Sequence, residues 1–432
     1  MKKQANKRTA IFLTVVLTLS LMIANFSCIY AEESPELTDV NHEASTTAEY
    51  LLNALNAAEI SPYNYKEVIL ILRSGIDSGD LADRYCNLLE SNITNGRLLI
   101  NGSENITMYA AYLIILALHG DNALDVNGNN IADAFDHLLA SYTSAEELNT
   151  AVENPYYYDF IVPAVFAYEN HMEHSDAVKT LLRNAIMLNY KQTETDCGID
   201  YWGISGDNNA AVLPALNYFS DNKEIADAIA DAVTFNESLI MEDGGSRFDN
   251  GEYSTASNAN STGAALYLYS VLNNENNIIS YNALLNFKSA LTPGAYTYYG
   301  EDNMFATVDA LKGLIAYKML LGNEGFPFDV TDEVSRILTP EQPEETTVEQ
   351  EITTADHSTE TESTADTTGS EENTDTSVAI PDTKAPETAT ASNSSAKTGE
   401  NGSMTAILLM LCILSSGTVV FARKTVSTGK RK

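Results

Sequence analysis

Residues 245–272 read GSRFDNGEYSTASNANSTGAALYLYSVL, and this stretch contains the pattern that decides the fold. A glycine turn and an aromatic residue come first, and a polar, asparagine-rich loop follows them. The stretch ends in a helix that is apolar on nearly every face. Such a helix has no side suited to water and belongs in a protein core. The stretch therefore predicts a unit made of one loop and one buried helix.

The same unit recurs along the chain. Related stretches begin at Gly96, Gly198 and Gly294, and a looser copy without glycine begins at Asn154. Equivalent points lie about fifty residues apart, a period typical of repeated supersecondary units. Segments with a single apolar stripe separate the buried helices, as expected for outer helices resting on inner ones. The pattern predicts an all-α domain at residues 46–338, an (α/α)6 toroid of about twelve helices.

Two inner-helix segments resemble a known repeat. NSTGAALYLYSVL at residues 260–272 and NMFATVDALKGLIAY at residues 303–317 are similar to the inner-helix signatures of the prenyltransferase and squalene-cyclase repeat, and the sequence Asp243-Gly244-Gly245 resembles that family's glycine turn. The resemblance implies an α/α toroid. It also places this chain near a family that contains both enzymes and cobalamin carriers.

The catalytic motifs of that family have no match in the sequence. Triterpene cyclases use an Asp-x-Asp-Asp cluster, and no such cluster occurs here. Protein prenyltransferases bind zinc through an Asp-x-Cys pair and a later histidine. Asp196 and Cys197 are adjacent instead, and the only later histidine is His357. Cys197 also lacks the following glutamine of thioester domains. The other histidines, His119 among them, do not have a spacing that predicts a metal site.

The sequence therefore favours a non-catalytic module that binds a ligand or partner at the loop end of the barrel. The alternative is an (α/α)6 enzyme that acts on extracellular glycans or a terpenoid-like substrate. In that case a pair such as Asp207 and Asp302 would supply the acid and the base.

The loops before the inner helices form the predicted binding site, because repeat geometry brings them to one end of the barrel. Their aromatic rings, amides and carboxylates suit a sugar, a peptide or a corrinoid. A second interpretation is that the same rings seal the barrel mouth. The predicted ligand-binding residues are Tyr201, Trp202, Asp207, Asn208, Phe248, Tyr253, Asn258, Tyr298, Tyr299, Asp302 and Asn303.

A stretch at residues 125–136 resembles the calcium loop of EF-hands and dockerins. It places oxygen ligands at loop positions 1, 3, 5, 7, 9 and 12. Asn130 replaces the usual glycine at position 6, and a plain Asn/Gly turn before a helix is the competing interpretation. The two interpretations stay open; under the first the cofactor is calcium, with the ligands Asp125, Asn127, Asn129, Ile131, Asp133 and Asp136.

The two ends of the chain have other features. Residues 1–31 have the basic and apolar regions of an export signal, and residues 32–45 read as a spacer. Residues 339–396 are rich in Thr, Glu, Ser, Asp and Pro and predict a disordered stalk. Residues 404–422 are apolar and long enough to span a bilayer, and a basic tail follows them. We therefore expect an exported protein anchored at the cell surface through its C-terminus.

The segment at residues 397–432 resembles the sorting signal of Gram-positive wall proteins. Thr398 and Gly399 match the Thr-Gly bond that the wall transpeptidase cleaves, but Ser395 and Ala396 stand where Leu and Pro are expected. Two outcomes stay open, covalent attachment to the cell wall and a plain membrane anchor.

Charge and cysteine content limit the partners. Residues 1–31 and 404–432 hold nine of the 24 basic residues and none of the acidic ones, which leaves 15 basic residues against 60 acidic residues in the rest of the chain. A polyanion of this kind repels nucleic acid, so the expected partners are an extracellular small molecule, a glycan or a protein. Cys86 and Cys197 are the two cysteines of the domain, either paired or, as favoured here, two buried thiols.

Overall fold

The computed structural model describes residues 35–252 and 254–338. Fourteen α-helices and seven short strands lie in this part of the chain, which confirms the all-α class. The predicted export signal, the stalk, the anchor segment and Tyr253 lie outside the described residues. None of the described helices combines the length and apolarity of a membrane span.

The helices have the following bounds: α1 Leu37–Asn56, α2 Tyr65–Ser74, α3 Leu81–Glu90, α4 Ile106–His119, α5 Ile131–Ala140, α6 Ala145–Val152, α7 Tyr158–Ala167, α8 Ser175–Met187, α9 Gly206–Asn217, α10 Lys223–Glu237, α11 Ala259–Val271, α12 Asn276–Leu285, α13 Met304–Leu321 and α14 Thr331–Leu338. Short 3-10 helices at Pro62–Asn64 and Pro155–Tyr157 precede α2 and α7.

Six helices contact one another in a closed ring. In order they are α2, α4, α7, α9, α11 and α13, and α13 in turn contacts α2. These inner helices are buried on most sides, and every residue of α4 from Ile106 to Ala117 is buried. Other helices rest on the ring: α1 on α13 and α2, α3 on α4, α8 on α7, α10 on α9 and α12 on α11. Apart from α2, which has a single apolar stripe, the inner helices are the ones whose sequences are apolar on nearly every face.

The sequence repeat is a repeat of helix caps. The side chains of Asn105, Ser205, Asn258 and Asn303 each accept a hydrogen bond from a backbone N–H in the first turn of an inner helix. Asparagine and serine are favoured there because they satisfy a donor that the helix leaves free. Asn209 stands at the equivalent point of the repeat that begins at Gly198, but it is not a cap. It lies inside α9, where its side-chain oxygen accepts a hydrogen bond from the Ile199 N–H.

The strands form small antiparallel sheets in the loops before inner helices. The first contains β1 Ile93–Thr94, β2 Arg97–Ile100 and β3 Ser103–Glu104, the second β4 Tyr190–Gln192 and β5 Cys197–Ile199, and the third β6 Thr297–Tyr298 and β7 Glu301–Asp302. They precede α4, α9 and α13, respectively. Backbone pairing thus fixes the direction in which the chain enters these three helices.

The N-terminal helix starts earlier than the sequence predicted. Residues 32–45 read as a spacer, but α1 begins at Leu37. Val40 and Ala44 are fully buried and extend the apolar stripe that continues at Leu51. The stripe was hidden because small and polar residues separate its members. Two short helices, α6 and α14, were also not predicted.

Two inner helices approach each other closely at a pair of glycines. A Cβ atom placed on Gly313 would lie 2.5 Å from the carbonyl oxygen of Gly263, and one placed on Gly263 would lie 2.7 Å from the carbonyl oxygen of Asp309. Helices α11 and α13 therefore pack backbone against backbone at this point.

The cysteines of the domain are not paired. Cys86 and Cys197 are both free and buried, which confirms the interpretation as two buried thiols.

Candidate functional site

A cavity of about 540 Å3 lies at the N-terminal halves of five of the six inner helices. Its size falls within the range of small-molecule binding sites, about 300–1,000 Å3. Residues of α2, α7, α9, α11 and α13 line it, together with residues of the two preceding 3-10 segments. The polar and aromatic lining residues are Tyr63, Tyr65, Lys66, Glu67, Asn154, Tyr156, Tyr157, Asp159, Phe160, Asp207, Asn260, Tyr267, Phe305, Asp309 and Lys312.

A buried ion pair lies in this wall. Lys312 Nζ of α13 lies 2.5 Å from Asp159 Oδ2 of α7, and the Tyr267 hydroxyl donates to Asp159 Oδ1 at 2.7 Å. The Lys312 ammonium also lies 3.6 Å from the centre of the Tyr267 ring. Burial lowers the pKa of Lys312, although the charge of Asp159 opposes this effect. Three inner helices therefore meet through one polar cluster inside an otherwise apolar ring.

A second ion pair lies nearer to water. Lys66 of α2 donates to Asp309 Oδ1 of α13 at 2.6 Å, and Asn260 donates to Asp309 Oδ2 at 3.2 Å. Burial disfavours the charge of Lys66, but the Asp309 carboxylate outweighs burial and raises the pKa of the lysine. Both oxygens of Asp309 are thus satisfied, and the two partners hold the carboxylate in one orientation.

Two further carboxylates of the cavity each have one oxygen without a partner. Asp207 Oδ1 and Glu67 Oε2 are buried and have no hydrogen-bond partner among the described residues. Burial raises the pKa of Asp207 to about 7; the charges of Asp309 and Asp249 add to the rise, while Ser261 opposes it. Burial likewise raises the pKa of Glu67. An unsatisfied buried oxygen destabilises the folded protein unless a donor group reaches it.

Aromatic rings lead from the cavity to the surface. Tyr63 and Phe305 line the cavity and are 57% and 77% exposed. Tyr156, another lining residue, begins a row of three rings. The centroids of Tyr156 and Tyr201 lie 5.8 Å apart, and those of Tyr201 and Trp202 also lie 5.8 Å apart. We call these five residues the aromatic rim. Exposed rings of this kind suit stacking against a flat apolar face.

Trp202 is held in an unusual conformation. Its side chain is 96% exposed and its φ is 62°, in the left-handed region that bulky residues rarely adopt. The loop is fixed from below by the Asn208 amide, which donates to the carbonyls of Tyr201 and Gly203. A strained backbone that displays a large ring to water is typical of a functional position.

The structure places the eleven predicted ligand residues in different settings. Asp207 lines the cavity, and Tyr201 and Trp202 belong to the aromatic rim. Asn208 is buried and supports the Trp202 loop, so it is a positioning residue. Exposed rings are found at Phe248, in the loop before α11, and at Tyr299, next to Tyr298 in the β6–β7 hairpin.

Three predicted ligand residues have local roles instead. Asn258 and Asn303 cap α11 and α13 through their side-chain oxygens. Asp302 lies exposed on β7, where Thr292 donates to its carboxylate, and it does not line the cavity. The carboxylates that share the cavity with Asp207 are those of Glu67, Asp159 and Asp309, and Asp302 is not among them.

The predicted calcium loop forms a tight turn. Val126 and Asn129 pair across it, Asn127 and Gly128 have positive φ, and Asp125 Oδ1 accepts from the Gly128 N–H. Asp133, in the first turn of α5, lies 3.7 Å from His137.

Two other members of the predicted loop have partners that the sequence did not suggest. Asp136 is fully buried and binds the backbone N–H and ring of His174. Asn127 donates to Glu90. Asp136 is thus engaged away from the turn, and calcium binding by the other five residues, including the Ile131 carbonyl, stays a prediction.

Sequence analysis missed most of the cavity, although the signal was present. Asp159, Asp309 and Lys312 are charged residues inside helices that are otherwise apolar. A charge in such a helix is expected to have a partner or a function. Their pairing was not predictable, because Lys312 and Asp159 are 153 residues apart in the chain.

Comparison with known proteins gives no family assignment. No family model matches the chain, and a search of curated proteins finds no match.

Proposed function

We propose that the domain is an α/α toroid of the prenyltransferase type that binds a hydroxyl-rich extracellular ligand, such as an oligosaccharide, in the cavity. The closed order of contacts among the six inner helices supports the toroid. The single observation that carries the ligand assignment is the pair of donor-free oxygens on Glu67 and Asp207 in one cavity.

The aromatic rim supports the same class of ligand. A sugar ring has hydroxyl groups at its edge and C–H groups on its faces, so one molecule can donate to carboxylates and stack on rings. The oxygens of Glu67 and Asp207 accept the donors, while Tyr63, Phe305 and Trp202 receive the apolar faces. A ligand without donor groups leaves both oxygens unsatisfied.

A thermal melt of the full-length protein against glycans, peptides and corrinoids tests this proposal. A ligand at 100 times its Kd stabilises the folded state by about 2.7 kcal/mol, which is a measurable rise in Tm. We expect glycans to raise the Tm of the wild type and of Asp302→Asn, and to have a weaker effect on Glu67→Gln and Asp207→Asn. A rise with peptides or corrinoids alone, or equal rises in all variants, would contradict the assignment.

The same screen tests calcium. If residues 125–136 bind the ion, calcium raises the Tm, EDTA reverses the rise, and Asp125→Ala abolishes it. A Tm that calcium leaves unchanged removes the metal hypothesis for this loop.

A second function, glycan hydrolysis, is favoured by the raised pKa of Asp207. A carboxyl with a pKa of about 7 is largely protonated in mildly acidic solution and can donate to a leaving oxygen. Asp309, held by Lys66, is the second carboxyl that such a mechanism requires. We expect any release of reducing ends to fall as pH rises above about 7, because Asp207 then loses its proton. Asp207→Asn should abolish turnover, and Asp302→Asn should not. Binding without turnover in the wild type excludes this function.

We further propose that the domain is displayed at the cell surface. The support is the sequence of residues 1–31, 339–396 and 404–422. Release of the protein from isolated walls by muramidase digestion, and its loss from walls in Thr398→Ala, would indicate covalent attachment. Extraction by detergent alone would indicate a membrane anchor.

A further inference from the structure

A second cluster of chemically active side chains lies away from the cavity. Cys86 of α3, His119 at the end of α4 and Asp121 in the following turn place their ligand atoms within 4.8 Å of one another. His119 Nδ1 lies 2.7 Å from Asp121 Oδ2. It is the only group of three or more His, Cys, Asp and Glu side chains in residues 35–252 and 254–338 with this geometry. None of the three lines the cavity.

The surroundings of the cluster are acidic. Asp83 Oδ1 lies 3.5 Å from His119 Nε2, on the opposite side of the ring from Asp121. Burial raises the pKa of Cys86 to about 12, and the charges of Asp121, Glu90 and Asp83 add to the rise. In the described part of the chain, the ion pairs of Asp83 and Asp121 are both with His119. The negative charge at this point has no lysine or arginine partner there, which favours a bound cation.

An unpaired hydroxyl beside the cluster is an independent observation. Tyr112 of α4 is fully buried, and its hydroxyl has no hydrogen-bond partner among the described residues. Tyr112 lies two turns before His119 on the same face of α4. Burial raises the pKa of its hydroxyl, and the nearby Glu90 and Asp121 add to the rise. A buried donor without an acceptor is costly.

We propose that Cys86, His119 and Asp121 bind a zinc ion, with a water molecule at the fourth position. A thiolate, an imidazole and a carboxylate are the ligand types that zinc takes in tetrahedral sites, whereas calcium takes oxygen ligands alone. His119 Nδ1 binds the ion, and the carboxylate of Asp83, 3.5 Å from Nε2, favours the ring proton on that nitrogen. Ligating histidines usually have such a carboxylate partner. On binding, the thiol proton leaves to solvent and the Cys86 thiolate becomes the ligand.

The site differs from the two metal sites considered from sequence. It shares no residue with the turn at residues 125–136, and it uses Cys86 rather than Cys197. Its three ligands come from an outer helix and from the C-terminal end of an inner helix.

Titration of the metal-free, full-length protein with zinc chloride, followed by calorimetry, tests the proposal. We expect one ion per chain in the wild type. Cys86→Ser and His119→Gln should weaken binding at least 100-fold, and Asp83→Asn should weaken it about 10- to 100-fold. Cys197→Ser is the matched control, since Cys197 is the other buried free thiol and its loss should leave zinc affinity unchanged. Binding of equal strength in Cys86→Ser would overturn the assignment.

A measurement on the wild type alone tests the proposal even if a variant does not fold. Cobalt(II) in a thiolate site gives an intense near-ultraviolet charge-transfer absorption, and zinc should displace it with one-to-one stoichiometry. Absence of this absorption, or no binding of either ion, would show that the cluster is not a thiolate metal site.

Discussion

At the scale of single residues, Asp207 is the most informative side chain. Burial and neighbouring acids raise its pKa to about 7, and one of its oxygens has no donor. Both features destabilise the folded protein, and both are typical of residues retained for function. A residue that only supported the fold would be expected to have its hydrogen bonds satisfied.

This property predicts a pH-dependent stability. A carboxyl in the unfolded chain titrates near pH 4, so between pH ~4 and ~7 the folded state holds a proton that the unfolded state releases. Stability therefore falls as pH rises through this window, and the loss is complete above about pH 7. Asp207→Asn should remove this loss and raise the free energy of unfolding at pH 8 by at most roughly 4 kcal/mol. Urea unfolding of the wild type and the variant at pH 5 and pH 8 measures the effect.

The control is Asp302→Asn, because neighbouring hydroxyls lower the pKa of Asp302 instead of raising it. If the free energies of unfolding of both variants depend on pH in the same way, Asp207 is not the group that causes the loss of stability.

At the scale of elements, the contact between α11 and α13 depends on two glycines. A methyl group on Gly263 would meet backbone atoms of Asp309 and Ala310 at 2.7 and 2.8 Å, and backbone atoms cannot move aside without shifting a helix. Because Asp309 carries the carboxylate that binds Lys66, such a shift also moves one wall of the cavity.

Gly263→Ala should therefore destabilise the domain by about 1–3 kcal/mol, the usual cost of overpacking. It should also weaken ligand binding in the cavity. Gly325→Ala is the control, since its Cβ would approach no atom closer than 3.9 Å. Urea unfolding of both variants measures the difference, and equal midpoints would show that the helices can separate freely.

The elements could be predicted from the sequence to different degrees. The inner helices were visible because they are apolar on all sides, and their asparagine caps mark the period. The cavity could not be predicted from the sequence, because its charged pairs join helices that are far apart in the chain. The start of α1 was missed because Val40 and Ala44 stand among polar residues. The Cys86 and His119 cluster was missed because a helix and a sheet separate its members in sequence.

At the scale of the whole domain, the C-terminal segment is fastened to the ring. Arg73 of α2 donates to the backbone carbonyls of Pro327 and Asp329 and to the carboxylate of Glu333 in α14. The arginine side chain is only 11% exposed. This residue therefore joins the second helix of the domain to the last one.

Arg73→Leu should destabilise the domain by roughly 3 kcal/mol, because Glu333 and two carbonyls lose their donor in a largely buried place. Amide hydrogen exchange should show the loss first in α14. Arg84→Leu is the control: its ion pair with Asp80 is largely exposed and contributes about 0.5 kcal/mol. Unchanged protection of α14 in Arg73→Leu would mean that other contacts hold the segment.

The closure of the ring also determines the order in which the domain can fold. Lys66 and Asp309 are 243 residues apart, so the pair forms only after nearly the whole domain has left the ribosome or crossed the membrane. Contacts at such separations slow folding, and until then the apolar inner helices lack their final neighbour. A chain of this design depends on protection during synthesis and transport. Its refolding rate, more than its equilibrium stability, should limit the yield of active protein.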